Sequence, residues 1–312
     1  MTEEAPALIQ ASPDAESRVW AALGNGSGLL LGIGIAIPTF GWADSRTQRP
    51  FAAFQSLQAL GYQTVGYTVW VLLYLALSVL FSIASIPLAS ALGSGSDRAL
   101  FIWMGAFFAA AFGMWGLYLI LPLIAAISTA LGRNFHYPLL GTRLEKLLGY
   151  DSGAGSGATL DEARADRWVA AMGHFAVILP LWGLSSPLVA LGTQRDRSPF
   201  LRFQSLQAIA LQLTVLLLYA GIMSFYLLGF VGFVLSMFAG GGSEPSIPGL
   251  IIFLAMMCFV LAFALLVPIF HLLGQWAGVR ILQGHDYYYP LLGGLVARWA
   301  GYGPRAQAEG EA

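Results

Sequence analysis

The sequence predicts an all-α, polytopic membrane helix bundle made of two tandem copies of one hydrophobic unit. Of its 312 residues 57% are apolar and only 10% are charged, whereas a soluble domain has roughly 25% charged residues. Four apolar tracts exceed the roughly 20 residues that a helix needs to cross a hydrocarbon core. They cover residues 63–92, 99–131, 209–239 and 248–281. We expect each tract to form a membrane-spanning helix.

A ten-residue motif that occurs twice is the evidence for duplication. Pro50 begins the sequence PFAAFQSLQA, and Pro199 begins PFLRFQSLQA, 149 residues later. A second match, YPLLG, begins at Tyr137 and again at Tyr289. Repeated sequence at a nearly fixed offset indicates a repeated structural unit.

The elements follow the same order in both copies. Each copy has a broken apolar segment, the Pro-Phe motif, two long helices joined by a Gly/Ser turn, a Tyr-Pro stop and an amphipathic helix that we expect at the membrane interface. This order predicts a disordered tail over residues 1–17, repeat 1 over 18–150, a flexible linker over 151–166, repeat 2 over 167–302 and a disordered tail over 303–312.

The broken segments, residues 20–42 and 168–192, decide the topology. If each spanned once, the Lys and Arg residues would divide eight to seven between the two sides. If each re-enters, all fifteen except Arg98 lie on one side, as the positive-inside rule prefers. We therefore predict four spans, two re-entrant hairpins and cytoplasmic termini in the plasma membrane. A single span is the alternative, because a helix of about 23 residues rises about 35 Å.

The charged and nucleophilic residues give no sign of an active site. None of the sixteen acidic residues lies inside a long apolar tract, which argues against an ion-coupled transporter. Nucleophile motifs, phosphate loops and basic nucleic-acid stripes are absent from the sequence. The single cysteine, Cys258, excludes a disulfide framework. We expect no enzyme, no cofactor, no metal site and no nucleic-acid partner.

The candidate site consists of the polar and aromatic residues of the repeated motifs. Amide side chains could line a polar vestibule that accepts a peptide backbone or a headgroup. In the structural alternative, which we favour, paired copies bond across the pseudo-symmetry axis or hold the re-entrant hairpin. The candidate vestibule residues are Pro50, Phe51, Phe54, Gln55, Gln58, Pro199, Phe200, Phe203, Gln204 and Gln207, and the stop motifs are Tyr137, Pro138, Tyr289 and Pro290.

Histidine offers a second kind of candidate. His136 and His285 adjoin the Tyr-Pro stops and are most simply interfacial residues. His174 and His271 lie in apolar segments, where a haem or pigment ligand pair is conceivable. We favour packing roles for both, because no acidic partner for a metal-bound imidazole is near either in the sequence.

The loop and motif from Ser198 to Ala208 resemble the signature of a bacterial membrane family of unknown function. That family is related to the twenty-kilodalton subunit of the chloroplast inner-envelope protein translocon. Its early histidine is resembled by His174, and its Gly-x-x-x-x-Tyr-Pro close is resembled by Gly132 to Pro138 and Gly284 to Pro290. The resemblance covers nearly the whole chain twice, and protein translocation would follow from it only by analogy.

These observations favour a non-enzymatic membrane protein that acts as a scaffold or as a translocation-like assembly factor. Its expected partners are membrane lipids and another membrane protein or peptide segment. The alternatives are an uncoupled channel or small-molecule carrier and a cofactor-binding subunit of a membrane energy-transducing complex.

Overall fold

The computed structural model describes residues 12–92, 97–154, 158–239 and 247–303. Every regular element in these ranges is helical, so the predicted all-α class is confirmed. The chain divides into two compact units, Met1–Met172 and Gly173–Ala312. The predicted Gly/Ser turns lie outside the described residues.

The helices follow the same order in the two compact units. The first unit contains α1 (Ala15–Gly26), α2 (Ala36–Ser45), α3 (Pro50–Gly61), α4 (Tyr67–Leu92), α5 (Asp97–Ala130) and α6 (Gly141–Leu148). Helix α7 (Glu162–Phe175) begins in the first unit and ends in the second, which continues with α8 (Ser185–Gln194), α9 (Pro199–Ala239), α10 (Ile247–Leu282) and α11 (Gly293–Ala300). Helix α1 thus begins inside the stretch assigned to the N-terminal tail, where Asp14 caps it by accepting the Ser17 amide at 2.6 Å.

Long apolar helices make this chain a membrane protein. By length and composition, five helical segments within the described ranges could cross a membrane. They are Ala15–Ser45, Pro50–Pro87, Leu100–Ala130, Pro199–Phe238 and Ile247–Leu282. The last four correspond to the four apolar tracts of the sequence.

The segment Ala15–Ser45 is folded at its middle, although its overall length would suffice for a span. Leu31 has φ 56° within the 3₁₀ turn that joins α1 to α2. Beyond the turn the chain returns, since the Trp20 and Phe40 rings lie 5.6 Å apart between centroids. Helices α1 and α2 have 12 and 10 residues, so they extend only about 18 Å and 15 Å. The contacts therefore define an antiparallel hairpin of two short arms.

The second unit contains the same hairpin, formed by the end of α7 and by α8. Leu181 has φ 64° at its turn. A Cβ placed on Gly173 would lie 3.5 Å from the Pro187 Cβ, which sets the two arms side by side. The turns of both hairpins expose apolar side chains, among them Leu30, Ile33, Leu181 and Trp182.

Each Pro-Phe motif begins a helix, because proline suits the first helical turn, where its missing N–H costs no hydrogen bond. In the second unit the motif and the following tract form one 41-residue helix, Pro199–Ala239. In the first unit a π-helical turn, Tyr62–Gly66, separates α3 from α4. The two repeats therefore differ just after the motif.

The short helices α6 and α11 differ in how they bury their apolar residues. In α6, Leu144 and Leu148 are buried, whereas Arg143 and Lys146 are exposed. In α11, Val296 is buried. Leu295 and Trp299 of the same helix are exposed.

Candidate functional site

Helix α3 holds Gln55 and Gln58 on one face, because residues three apart lie on the same side of a helix. Both side chains are fully buried. They face the loop that follows α5. Gly132, just after the helix, has φ 75°. There the Gly132 and Arg133 amides close the helix by bonding Thr129 and Ser128 carbonyls at 3.0 Å each.

In the first unit these amides clamp the Tyr-Pro loop. Gln58 Nε2 donates to the Phe135 carbonyl at 2.9 Å, and Gln58 Oε1 accepts the Tyr137 amide N–H at 3.2 Å. Gln55 Nε2 donates to the same Phe135 carbonyl at 3.1 Å. We call this set of contacts, together with its counterpart in the second unit, the Gln–Tyr clamp.

The second unit repeats the clamp contact by contact. Gln207 Nε2 donates to the Tyr287 carbonyl at 2.7 Å, and Gln207 Oε1 accepts the Tyr289 amide N–H at 3.0 Å. Gln204 Nε2 donates to the Tyr287 carbonyl at 3.3 Å. Each of these amides thus finds its partners within its own unit.

The clamped tyrosines reach back to the first arm of each hairpin. The Tyr137 hydroxyl donates to Asn25 Oδ1 at 2.9 Å, and the Tyr289 hydroxyl lies 2.7 Å from His174 Nδ1. Burial raises the pKa of both phenols well above its usual value, so each keeps its proton and can donate. His174 Nε2 lies 3.2 Å from Gln204 Oε1, which can only accept. His174 is therefore the Nε2-protonated tautomer, with both ring nitrogens hydrogen-bonded.

A third glutamine in each repeat holds the hairpin at its turn. Gln63 Nε2 donates to the Gly24 carbonyl at 3.1 Å and to Ser27 Oγ at 3.0 Å. Gln212 Nε2 donates to the Gly173 carbonyl at 2.9 Å. Both carbonyls lie near the end of the first arm, where a helix leaves carbonyl groups without intrahelical partners.

The motif aromatics stack on tyrosines from the end of each repeat. The Phe54 and Tyr150 rings are 4.1 Å apart between centroids, and those of Phe203 and Tyr302 are 4.4 Å apart. Burial raises the pKa of Tyr150 to about 12. Phe54 and Phe203 have no exposed surface, so neither faces an open vestibule.

The first residues of the motif and the prolines of the stops are more accessible. Pro50 and Phe51 border an open polar cleft of about 660 Å³ that Arg49 and Arg133 also line. Phe200 is partly exposed, and Pro138, Pro199 and Pro290 are exposed.

The buried glutamines have structural partners in their own unit. Gln63 and Gln212 hold the hairpins, as one version of the structural alternative predicts. The four candidate glutamines instead hold the Tyr-Pro loops, which neither version predicts. Gln55 Oε1 and Gln63 Oε1 are buried without a hydrogen-bond partner. Neither opens onto the polar cleft.

The remaining candidate residues have packing neighbours. His136 Nε2 lies 3.1 Å from Glu145 Oε1, and His271 Nε2 lies 3.3 Å from the Tyr219 hydroxyl. Among the described residues, no group of three or more His, Cys, Asp or Glu side chains is placed to hold a metal ion.

Two sets of contacts were not predicted from the sequence. Arg46 is nearly buried and pairs with Glu162 at 3.0 Å and with Asp166 at 2.9 Å, and Trp168 Nε1 donates to the Leu57 carbonyl at 3.0 Å. These contacts hold the start of α7 against the end of α2 and against α3. A basic and an acidic residue separated by more than a hundred positions leave no local signal in the sequence.

The comparisons with known proteins correct the family assignment. A family model described as the magnetosome magnetite crystal formation protein family matches residues 16–144 and again residues 165–296. The two matches cover most of the chain and are further evidence for the repeat. The resemblance to the translocon-related family was wrong, since the matching model is a different one. No curated protein and no solved structure matches the chain.

Proposed function

Because the chain belongs to the magnetosome magnetite crystal formation protein family, we propose that it is a non-enzymatic membrane scaffold that supports magnetite crystal formation. The observation that carries the proposal is the family match, which occurs twice and covers both repeats. The sequence alone predicts the plasma membrane. The family description favours the magnetosome membrane instead.

The buried polar residues support a role without chemistry. The donors of the Gln–Tyr clamp and both nitrogens of His174 are engaged inside their own units. A catalytic group must instead reach a substrate within hydrogen-bonding distance. What the chain offers to partners is the surface of its long apolar helices and an end rich in charges of both signs.

The sequence supports action on membrane or protein partners more than on the mineral. Only two of the sixteen acidic residues, Asp97 and Glu244, lie at or between the facing ends of the long helices of each repeat. Hard metal ions are bound mainly by carboxylate and other oxygen ligands. The end of each repeat opposite the chain termini therefore has few carboxylate ligands for the iron ions of a mineral surface.

The other functions have less support. The hypothesis of peptide translocation depended on the resemblance to the translocon-related family, which the family match contradicts. A channel requires a polar lining, but Ser78, Ser82 and Ser85 of α4 donate to carbonyls of their own helix. Such serines are already satisfied within the helix.

For the topology we propose four spans, α4, α5, α9 and α10, and two re-entrant hairpins, with both termini and the interfacial helices α6 and α11 on the cytoplasmic side. The support is the distribution of Lys and Arg. In this topology fourteen of the fifteen lie on the cytoplasmic side and only Arg98 lies on the other, as the positive-inside rule prefers. The arms of the first hairpin, about 18 Å and 15 Å long, are too short to cross a core of about 30 Å separately.

Cysteine accessibility tests this topology. In a chain with Cys258→Ala, Thr47→Cys and Asp196→Cys occupy equivalent exposed positions after the two hairpins, and Ser94→Cys and Ser243→Cys mark the opposite side. An impermeant thiol reagent that reaches only one face of sealed vesicles should label one pair and spare the other. Labelling of Thr47→Cys and Asp196→Cys from opposite faces would instead establish inverted repeats with six spans.

Deletion of the coding gene tests the function in the bacterium that carries it. We expect magnetite crystals of altered size or number, because a scaffold of crystal formation acts on the mineral's growth compartment. Transmission electron microscopy measures both quantities, and re-expression of the unaltered chain is the control. Unchanged crystals in the deletion strain would contradict the proposed function.

A further inference from the structure

An apolar groove of about 570 Å³ opens on the first unit. Its walls come from residues 61–73, which include the start of α4, and from residues 114–118 of α5. The loop of Pro138 to Leu140 and the side chain of Arg143 close one end. The volume lies within the range of about 300–1,000 Å³ that is usual for small-molecule sites.

The groove follows from a local difference between the repeats. It is lined by Tyr62, Val65 and Gly66 of the π-helical turn, an irregularity that often marks functional sites. In repeat 2 the position of Gly66 is occupied by Val215, which is buried in a hydrophobic cluster of a continuous helix. Valine in the second repeat adds a side chain to a buried cluster. Glycine in the first repeat adds none, and the Tyr62 ring lies 3.3 Å from where its Cβ would be.

Charge distinguishes the end of the groove. Arg143 is exposed on α6, and its side chain has no hydrogen bond or ion pair within the described part of the chain. The equivalent position in repeat 2 is Leu295. A guanidinium at the mouth of an apolar groove complements a ligand with an apolar tail and an anionic head, and Arg binds phosphate through paired N–H groups.

The dimensions fit one leaflet of a bilayer. The wall from Gly61 to Leu73 extends about 18 Å along the helix, a little over half of a hydrocarbon core of about 30 Å. Arg143 belongs to the short helix that follows the Tyr-Pro stop, where the chain leaves the last long helix of repeat 1.

We propose that this groove binds one acyl chain of an anionic phospholipid whose phosphate pairs with Arg143. The site is independent of the role in crystal formation and is specific to repeat 1. The lipid's tail lies along Val65, Gly66 and Val69, and its head lies at the membrane surface.

Native mass spectrometry of the full chain tests the proposal with palmitoyl-oleoyl phosphatidylglycerol and phosphatidylcholine as probes. The unaltered chain should retain one phosphatidylglycerol in preference to phosphatidylcholine. Arg143→Leu should lower this preference about fivefold, the effect of one basic group near an anionic surface. The matched control is Lys146→Leu, an exposed basic residue of α6 outside the groove, which should leave the preference unchanged.

A second pair of variants tests the groove itself without disturbing the core. Val69→Trp fills the groove from its exposed rim, whereas Val79→Trp adds the same bulk to an exposed position elsewhere on α4. Only Val69→Trp should abolish retention of the lipid. Equal effects of the two variants in either pair would overturn the proposal. A different result would be a dimer of the chain without lipid that Val69→Trp dissociates. That result would assign the groove to a second copy of the chain and would also overturn the lipid proposal.

Discussion

Gly34→Ala should destabilise the first unit severely, because it forces open the turn between α1 and α2. A Cβ at this position would lie 1.9 Å from the Ser27 carbonyl oxygen, a backbone atom that cannot move aside without opening the hairpin turn. We expect a loss of about 4 kcal/mol or more in the free energy of unfolding, the range that marks severe backbone or packing conflicts. Thermal unfolding in detergent should show a melting temperature lower by about 10 °C.

Gly105→Ala is the matched control for this prediction. Nothing lies within 4 Å of a Cβ at Gly105, which is inside α5. Alanine is favoured over glycine in a helix by about 1 kcal/mol, so this variant should be as stable as the unaltered chain or slightly more stable. If the Gly34→Ala and Gly105→Ala proteins had the same melting temperature, the hairpin turn would have room for a side chain at Gly34, and the prediction would be wrong.

Gln58→Leu should have the second largest effect, because it opens the Gln–Tyr clamp. The Tyr137 amide N–H loses its acceptor, whereas the Phe135 carbonyl keeps the bond from Gln55. One buried donor left without a partner costs about 1–3 kcal/mol. We expect a loss of about 2 kcal/mol in the free energy of unfolding, measured by the same thermal unfolding.

The same substitution at an exposed site provides the control. Gln283→Leu replaces an exposed glutamine just after α10 and should change stability by no more than about 0.5 kcal/mol. Gln207→Leu should match Gln58→Leu, since its contacts in the second unit are the same. Because each amide's partners are in its own unit, the double variant should show the sum of the two losses. A strongly non-additive result would instead favour pairing of the two amides across the repeats.

The overall class of the fold was predictable from the sequence, because it depends on features that composition records. Long uncharged tracts require helices in a membrane, where backbone groups must be satisfied internally. The exact repeat of PFxxFQSLQA and YPLLG likewise required two similar units. The broken segments were also readable as interruptions, since Gly34 and Pro180 lie in the observed hairpin turns.

The details of the site depend on contacts between residues far apart in the sequence, and these were not predictable. Gln58 is 77 residues from Phe135, and its partner could not be inferred from local spacing. The π-helical turn at Tyr62–Gly66 also left no pattern beyond a single glycine. Only comparison of Gly66 with Val215 of repeat 2 suggests, in retrospect, that this part of repeat 1 differs.

The mistaken family resemblance has a physical reason. The residues that carried it, such as Gln204, Gln207 and Tyr289, bond to one another and hold the unit together. A motif that serves to stabilise a helical unit specifies a fold and not an activity. It is therefore weak evidence for choosing between two families of small membrane proteins.

The most direct test of the non-enzymatic scaffold is the size distribution of magnetite crystals in deletion cells that express substituted chains. His271→Leu removes a half-buried imidazole whose buried Nδ1 has no hydrogen-bond partner. If the chain is a non-enzymatic scaffold, cells with normal amounts of His271→Leu protein should regain crystals of the original size. A stable, correctly localised His271→Leu protein that leaves the crystals as in the deletion strain would contradict the scaffold role, because it would assign a chemical role to the imidazole.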